Sequence, residues 1–75
     1  MKKFKTMAFD KKFKVWDIIE MEYTTKADFI KNLRSNGYRV NPVRVTEVEI
    51  YNYIMDNTNA TDKDFKTIKK LPKNI

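Results

Sequence analysis

The chain has no cysteine and no histidine among its 75 residues, only one glycine and two prolines, and a single serine. Without thiols there is no disulfide staple, no thiolate nucleophile and no Cys/His zinc site. Without imidazole the commonest general base near neutral pH is missing. Ser35 therefore has no histidine to activate it. Its place in Arg34-Ser35-Asn36-Gly37 reads as a small polar residue before a helix end. One glycine cannot build the loops through which a backbone approaches nucleotide phosphates. Long apolar runs are missing too, since residues 13–23 are broken by Lys14, Asp17, Glu20 and Glu22. A secretory leader needs an apolar core of about seven residues, and none follows Lys2-Lys3-Phe4-Lys5. The expectation is a cytoplasmic protein that is not an enzyme and uses neither cofactor nor metal.

Positive charge is what the chain has in excess. Lys+Arg 16 against Asp+Glu 10 gives a net charge of +6. Lysine outnumbers arginine 13 to 3, with asparagine and isoleucine abundant, a usage that fits an AT-rich bacterial or phage-like genome. The charge is uneven. Residues 1–14 carry +5, residues 15–60 carry −2 and residues 61–75 carry +3. Any basic surface must come from the two ends of the chain. Apolar residues make up 41 % and charged residues 35 %, a balance that allows one small globular domain spanning residues 1–75.

Alternation of side chains predicts two strands over residues 4–9 and 13–23, joined by a turn at Asp10-Lys11-Lys12. In the second strand Phe13, Val15, Ile19, Met21 and Tyr23 fall on one face and Lys14, Glu20 and Glu22 on the other. Asp17 interrupts the apolar face and Trp16 and Ile18 interrupt the polar one. That pattern points to a bulge near Trp16 or to a strand covered on both sides. Thr25-Lys26-Ala27-Asp28 supplies a capping hydroxyl, and Phe29, Ile30 and Leu33 share a helical face that ends at Gly37. A helix is expected over residues 26–36. Tyr38, Val40, Val43 and Val45 form an extended segment that Pro42 confines to a sheet edge or a bulge. Thr46-Glu47-Val48-Glu49 reads as a capping box leading into a helix that carries Ile50, Tyr51, Ile54 and Met55. Thr61-Asp62-Lys63-Asp64 repeats the cap before Phe65, Ile68 and Leu71, stopped by Pro72, with residues 72–75 expected to fray. The fold class is α+β: a small two-layer domain with an N-terminal β-hairpin, a helix, an edge strand and one or two C-terminal helices.

The carboxylates do not assemble into a site by spacing. Glu47, Glu49, Asp62 and Asp64 lie in first helical turns, where the helix dipole accounts for them. The polar run from Asp56 has Thr61 where a calcium loop needs glycine, and Thr67 where it needs glutamate. Two surfaces remain. Lys3, Lys5, Lys11, Lys12 and Lys14 alternate with aromatics up to Trp16, the pattern of sheets that stack bases and neutralise phosphates. Tyr51, Tyr53 and Met55 supply the residue types favoured at protein interfaces. The reading that leads from sequence alone is a non-catalytic binding or regulatory module that acts through a protein partner or by self-association. Its alternative is a nucleic-acid-binding protein using the basic aromatic hairpin. The burial of Trp16, and whether the lysines of both termini converge, discriminate between them.

Overall fold

A computed structural model describes residues 1–72. The element order is β1 (Lys2–Asp10), β2 (Val15–Tyr23), α1 (Lys26–Ser35), β3 (Tyr38–Arg39), a 3-10 turn (Pro42–Arg44), β4 (Thr46–Glu47), α2 (Val48–Asn57) and α3 (Asp62–Thr67). The α+β class and the hairpin-then-helix order expected from sequence are both present. β1 is the central strand. It pairs antiparallel with β2 along one edge and with the short β3 and β4 along the other.

β1 and β2 match in unbroken register from Lys2↔Tyr23 to Asp10↔Val15. There is thus no bulge at Trp16, contrary to one sequence expectation. The alternative expectation, cover on both faces, also fails, because Trp16 and Ile18 are 62 % and 60 % exposed. The strand's mixed pattern has a different origin. Phe4, Thr6 and Ala8 of β1 are buried on an inner face, which they share with Asp17, Ile19 and Tyr23 of β2. Asp17 is accommodated there because the Tyr38 hydroxyl donates to its Oδ2 at 3.4 Å. Lys3, Lys5, Met7 and Phe9 share the outer face with Glu22, Glu20, Ile18 and Trp16. Phe13 and Lys14 belong to the turn and not to β2.

The turn is built by Asp10, whose Oδ1 accepts from the backbone N–H of Lys12 at 2.9 Å and of Phe13 at 3.2 Å. Lys14 closes it in a left-handed conformation (φ 56), with its N–H on the Asp10 carbonyl at 2.7 Å. Lys11 N–H donates to the carbonyl of Gly37, which ties the hairpin tip to the end of α1. Gly37 itself is left-handed (φ 88), as the sequence demanded.

α1 starts where expected, with Thr25 Oγ1 accepting from Asp28 N–H at 3.1 Å. It lays Phe29, Ile30 and Leu33 on the inner face of the sheet, where they form one core with Phe4, Ala8, Val40 and Val45. The expected edge strand is split. Asn41 Oδ1 caps the 3-10 turn that Pro42 begins, leaving β3 and β4 as separate two-residue ladders. Inside that arch, fully buried Thr6 donates to the Arg44 carbonyl at 3.1 Å.

α2 is a helix as expected, but Thr46 does not cap it. Glu47 is the cap residue and makes no side-chain cap bond, while Thr46 lies in β4 and donates to the Glu47 carbonyl. Pairing of Thr46 with Lys5 holds it extended, so the sheet wins over the capping box. α3 has the full box: Thr61 Oγ1 accepts from Asp64 N–H, and Asp64 Oδ2 accepts from Thr61 N–H at 3.0 Å. It is shorter than expected, ending at Thr67 and leaving Leu71 40 % exposed. Tyr51, Ile54 and Phe65 form a second core, joined by Val43, Ile50 and Ile68. The expected fraying at residues 72–75 falls, beyond Pro72, outside the described residues.

Candidate functional site

The outer face of the hairpin divides into two halves. At its open end Lys3 pairs with Glu20 at 3.7 Å, and Lys5 donates to Asn52 Oδ1 at 2.7 Å with its ammonium 5.4 Å from the Tyr51 ring. Lys3, Glu20, Glu47, Glu49, Lys69 and Lys70 line a groove of about 570 Å³ there, with charges of both signs interleaved. Part of the C-terminal lysine group does meet the hairpin, but beside three glutamates. Burial pulls the Lys26 ammonium below its ordinary value, and nearby Lys69 adds to the effect. Lys11, Lys12 and Lys14 lie at the opposite end, about 24 Å along the strand from Lys3. The lysines of the two termini therefore do not form one patch, and Lys3 and Lys5 leave the candidate face.

The turn half is different. Phe9 and Trp16, cross-strand partners, meet edge to face with ring centroids 5.2 Å apart. The Arg39 guanidinium sits 5.7 Å from the Phe9 ring centre, placed there because β3 pairs Arg39 with Phe9. Met7, Trp16, Arg39, Val40, Asn41 and Arg44 line a half-open groove of about 550 Å³. Arg44 is held by Asp62 at 2.6 Å and lies over Phe65, so its charge is spoken for. Arg39 has no ion-pair partner among the described residues. Asn41 spends its Oδ1 on the 3-10 turn, so its amide N–H groups are the part left to donate. Lys11, Lys12 and Lys14 are exposed at the tip, Lys12 over the Phe13 ring at 5.4 Å. The nearest carboxylate in sequence, Asp10, is committed to the turn backbone.

Of the residues marked from sequence, Trp16 stands on this surface with the tip lysines beside it. Phe9 is one of the aromatics of that lysine-rich run, while Met7, Ile18, Arg39 and Asn41 were missed. The odd-residue alternation of β1 carried a signal for Met7 and Phe9. Nothing local signals Arg39, because its position depends on the register of a two-residue ladder.

The tyrosine surface does not assemble. Tyr51 is buried against Phe65 with ring centroids 5.7 Å apart, and its burial pushes the hydroxyl pKa up while Arg44 acts the other way. Tyr53 is half-buried against the same core, and Met55 is exposed on α2. One α-helical turn cannot present residues 51, 53 and 55 together.

Among the described residues, no group of three or more Asp or Glu is placed to hold a metal ion. No helix among them is long and apolar enough to cross a membrane. The fold and this surface define a small α+β domain with an exposed aromatic and basic sheet face. Comparison with models of protein families, with curated proteins and with solved structures gives no match.

Proposed function

We propose that the chain is a non-catalytic domain that binds single-stranded nucleic acid on the turn half of the hairpin's outer face. The observation that carries this reading is Trp16, 62 % exposed on a regular strand, edge-on to Phe9 and beside Arg39, which has no ion-pair partner among the described residues. A domain of this size ordinarily spends its one tryptophan on the core, and leaving an indole in water forfeits burial of roughly 1.5–3 kcal/mol for a large side chain. An indole face offers a sequence-tolerant stacking platform, worth about 1–3 kcal/mol per base. Arg39 and the three tip lysines supply the cations that a phosphate backbone requires. The groove beside Trp16 takes a base, and the Asn41 amide donates to its edge. The reading carries with it the cytoplasmic setting expected from the sequence.

A protein partner is the second reading, favoured by the exposed aliphatics Ile18 and Met7 on the same face. Titration with oligothymidine and oligouridine of about 12 nucleotides at two salt concentrations separates the readings. Nucleic-acid binding predicts micromolar affinity at low salt, a steep fall with salt, and loss on exchanging Lys11, Lys12 and Lys14 for Glu. Affinity no tighter than about 1 mM at low salt rules it out, because even non-specific binders reach roughly 10⁻⁴ to 10⁻⁶ M.

A further inference from the structure

β2 is nine residues long and its far edge pairs with no other strand among the described residues. Edge strands of soluble proteins are ordinarily blunted by lysine, proline or a bulge. β2 has no lysine, proline or bulge within Val15–Tyr23, and what guards its edge is negative charge alone, with Asp17 pointing inward and Glu20 and Glu22 outward. Its three charges are all carboxylates, and two are already answered within the chain: Glu20 by Lys3 and Asp17 by the Tyr38 hydroxyl. The row of free backbone groups is thus open to a partner strand.

The strand can also pair with itself without setting like charges directly opposite one another. Residues opposite one another in an antiparallel pair share a face, so a two-fold arrangement must oppose residues of equal parity. Centring on Ile19 pairs all nine residues, Val15 with Tyr23 at the ends. Asp17 then faces Met21, Ile18 faces Glu20 and Trp16 faces Glu22. No carboxylate stands directly opposite a carboxylate, and the one like-charge diagonal, Glu20 with its own counterpart, is eased by Lys3, which pairs with Glu20 in each chain. Moving the centre one residue toward the C-terminus sets Glu20 against Glu20, which like-charge repulsion disfavours.

We propose that the free edge of β2 pairs with the same edge of a second copy, antiparallel and centred on Ile19. The product is one continuous sheet across two chains. Both α1 helices lie on its inner face and both Trp16 grooves on its outer face, about 20 Å apart along the strands. The inference rests on the edge alone and holds whether or not the outer face takes nucleic acid.

The chain's lack of cysteine makes the test clean. Ile19→Cys should oxidise to a covalent dimer, because position 19 meets itself across the two-fold at a separation a disulfide can span. Met21→Cys should not, because its counterpart is Asp17. Ile18 provides a second arm at an exposed position that leaves folding intact. By sedimentation equilibrium, Ile18→Glu should weaken the dimer about tenfold by facing Glu20, while Ile18→Lys should hold or tighten it. A chain monomeric up to about 1 mM overturns the proposal. Equal weakening by both Ile18 variants also overturns it, since that marks an apolar stack of outer faces or a register centred on Ile18, as does cross-linking at 21 equal to that at 19.

Discussion

At the scale of single residues, two threonines that look alike in sequence do different work. Thr61 gives its hydroxyl to the Asp64 N–H and receives the Asp64 carboxylate in return, so Thr61→Ala should cost about 1 kcal/mol in urea unfolding. Thr46 only donates to the next carbonyl, and Thr46→Ala should cost less than about 0.5 kcal/mol. Sequence could not separate them, because the difference lies in Lys5 of β1, which holds Thr46 in a ladder. Asp64 also makes stability depend on acid. The Thr61 backbone N–H, and then its hydroxyl, hold the Asp64 carboxyl below its ordinary value of 3.8. A depressed folded pKa means that the unfolded chain takes the proton more readily. The contribution is complete above 3.8 and is lost as pH falls through the lower folded value. Asp64→Ala should therefore flatten the acid side of the stability profile between about pH 5 and pH 2, as followed by the urea midpoint. Ala60 is left-handed at φ 54, where a Cβ is strained. Ala60→Gly should gain about 0.5 kcal/mol after the glycine's entropy is charged against it, seen as a raised Tm.

At the scale of elements, most of the chain was legible. The hairpin, α1 with its Thr25 cap and Gly37 stop, and α3 with its box follow from alternation, helical spacing and capping chemistry, and α2 from helical spacing alone. What was not legible depends on pairing at a distance. The edge segment from Tyr38 to Val45 reads as one strand, yet Asn41-Pro42 folds it into a 3-10 arch over Thr6. The bare half of the outer face was hidden for a related reason. Whether Trp16 and Ile18 are buried cannot be read until one knows that the second core gathers around Phe65, away from the hairpin tip. Phe65 is 1 % exposed and ties α3 to α2, with the Arg44 guanidinium lying over its ring. Phe65→Ala should cost about 3–5 kcal/mol, enough to melt α2 and α3 while α1 keeps the first core with the hairpin. Loss of helical signal with Phe4 and Phe29 resonances retained would show it. A single cooperative loss would instead mean that the two cores fold as one unit.

At the scale of the whole molecule, the net charge of +6 is resolved into two surfaces of different character. The open end of the hairpin interleaves lysines with Glu20, Glu47 and Glu49 and so presents little net field. The turn end sets Arg39 beside Phe9 and Trp16 with Lys11, Lys12 and Lys14 exposed at the adjoining tip, while the Asp10 carboxylate is occupied by the turn. A short strand of nucleic acid finds there both stacking and phosphate neutralisation, and on the opposite half finds neither. Trp16 is the only tryptophan, so its fluorescence reports on this surface and no other. The decisive measurement is that fluorescence during titration with oligothymidine at low salt. Stacking predicts saturable quenching at micromolar concentrations, reversed by added salt and absent when Lys11, Lys12 and Lys14 are exchanged for Glu. Unchanged emission up to millimolar oligonucleotide would contradict the account.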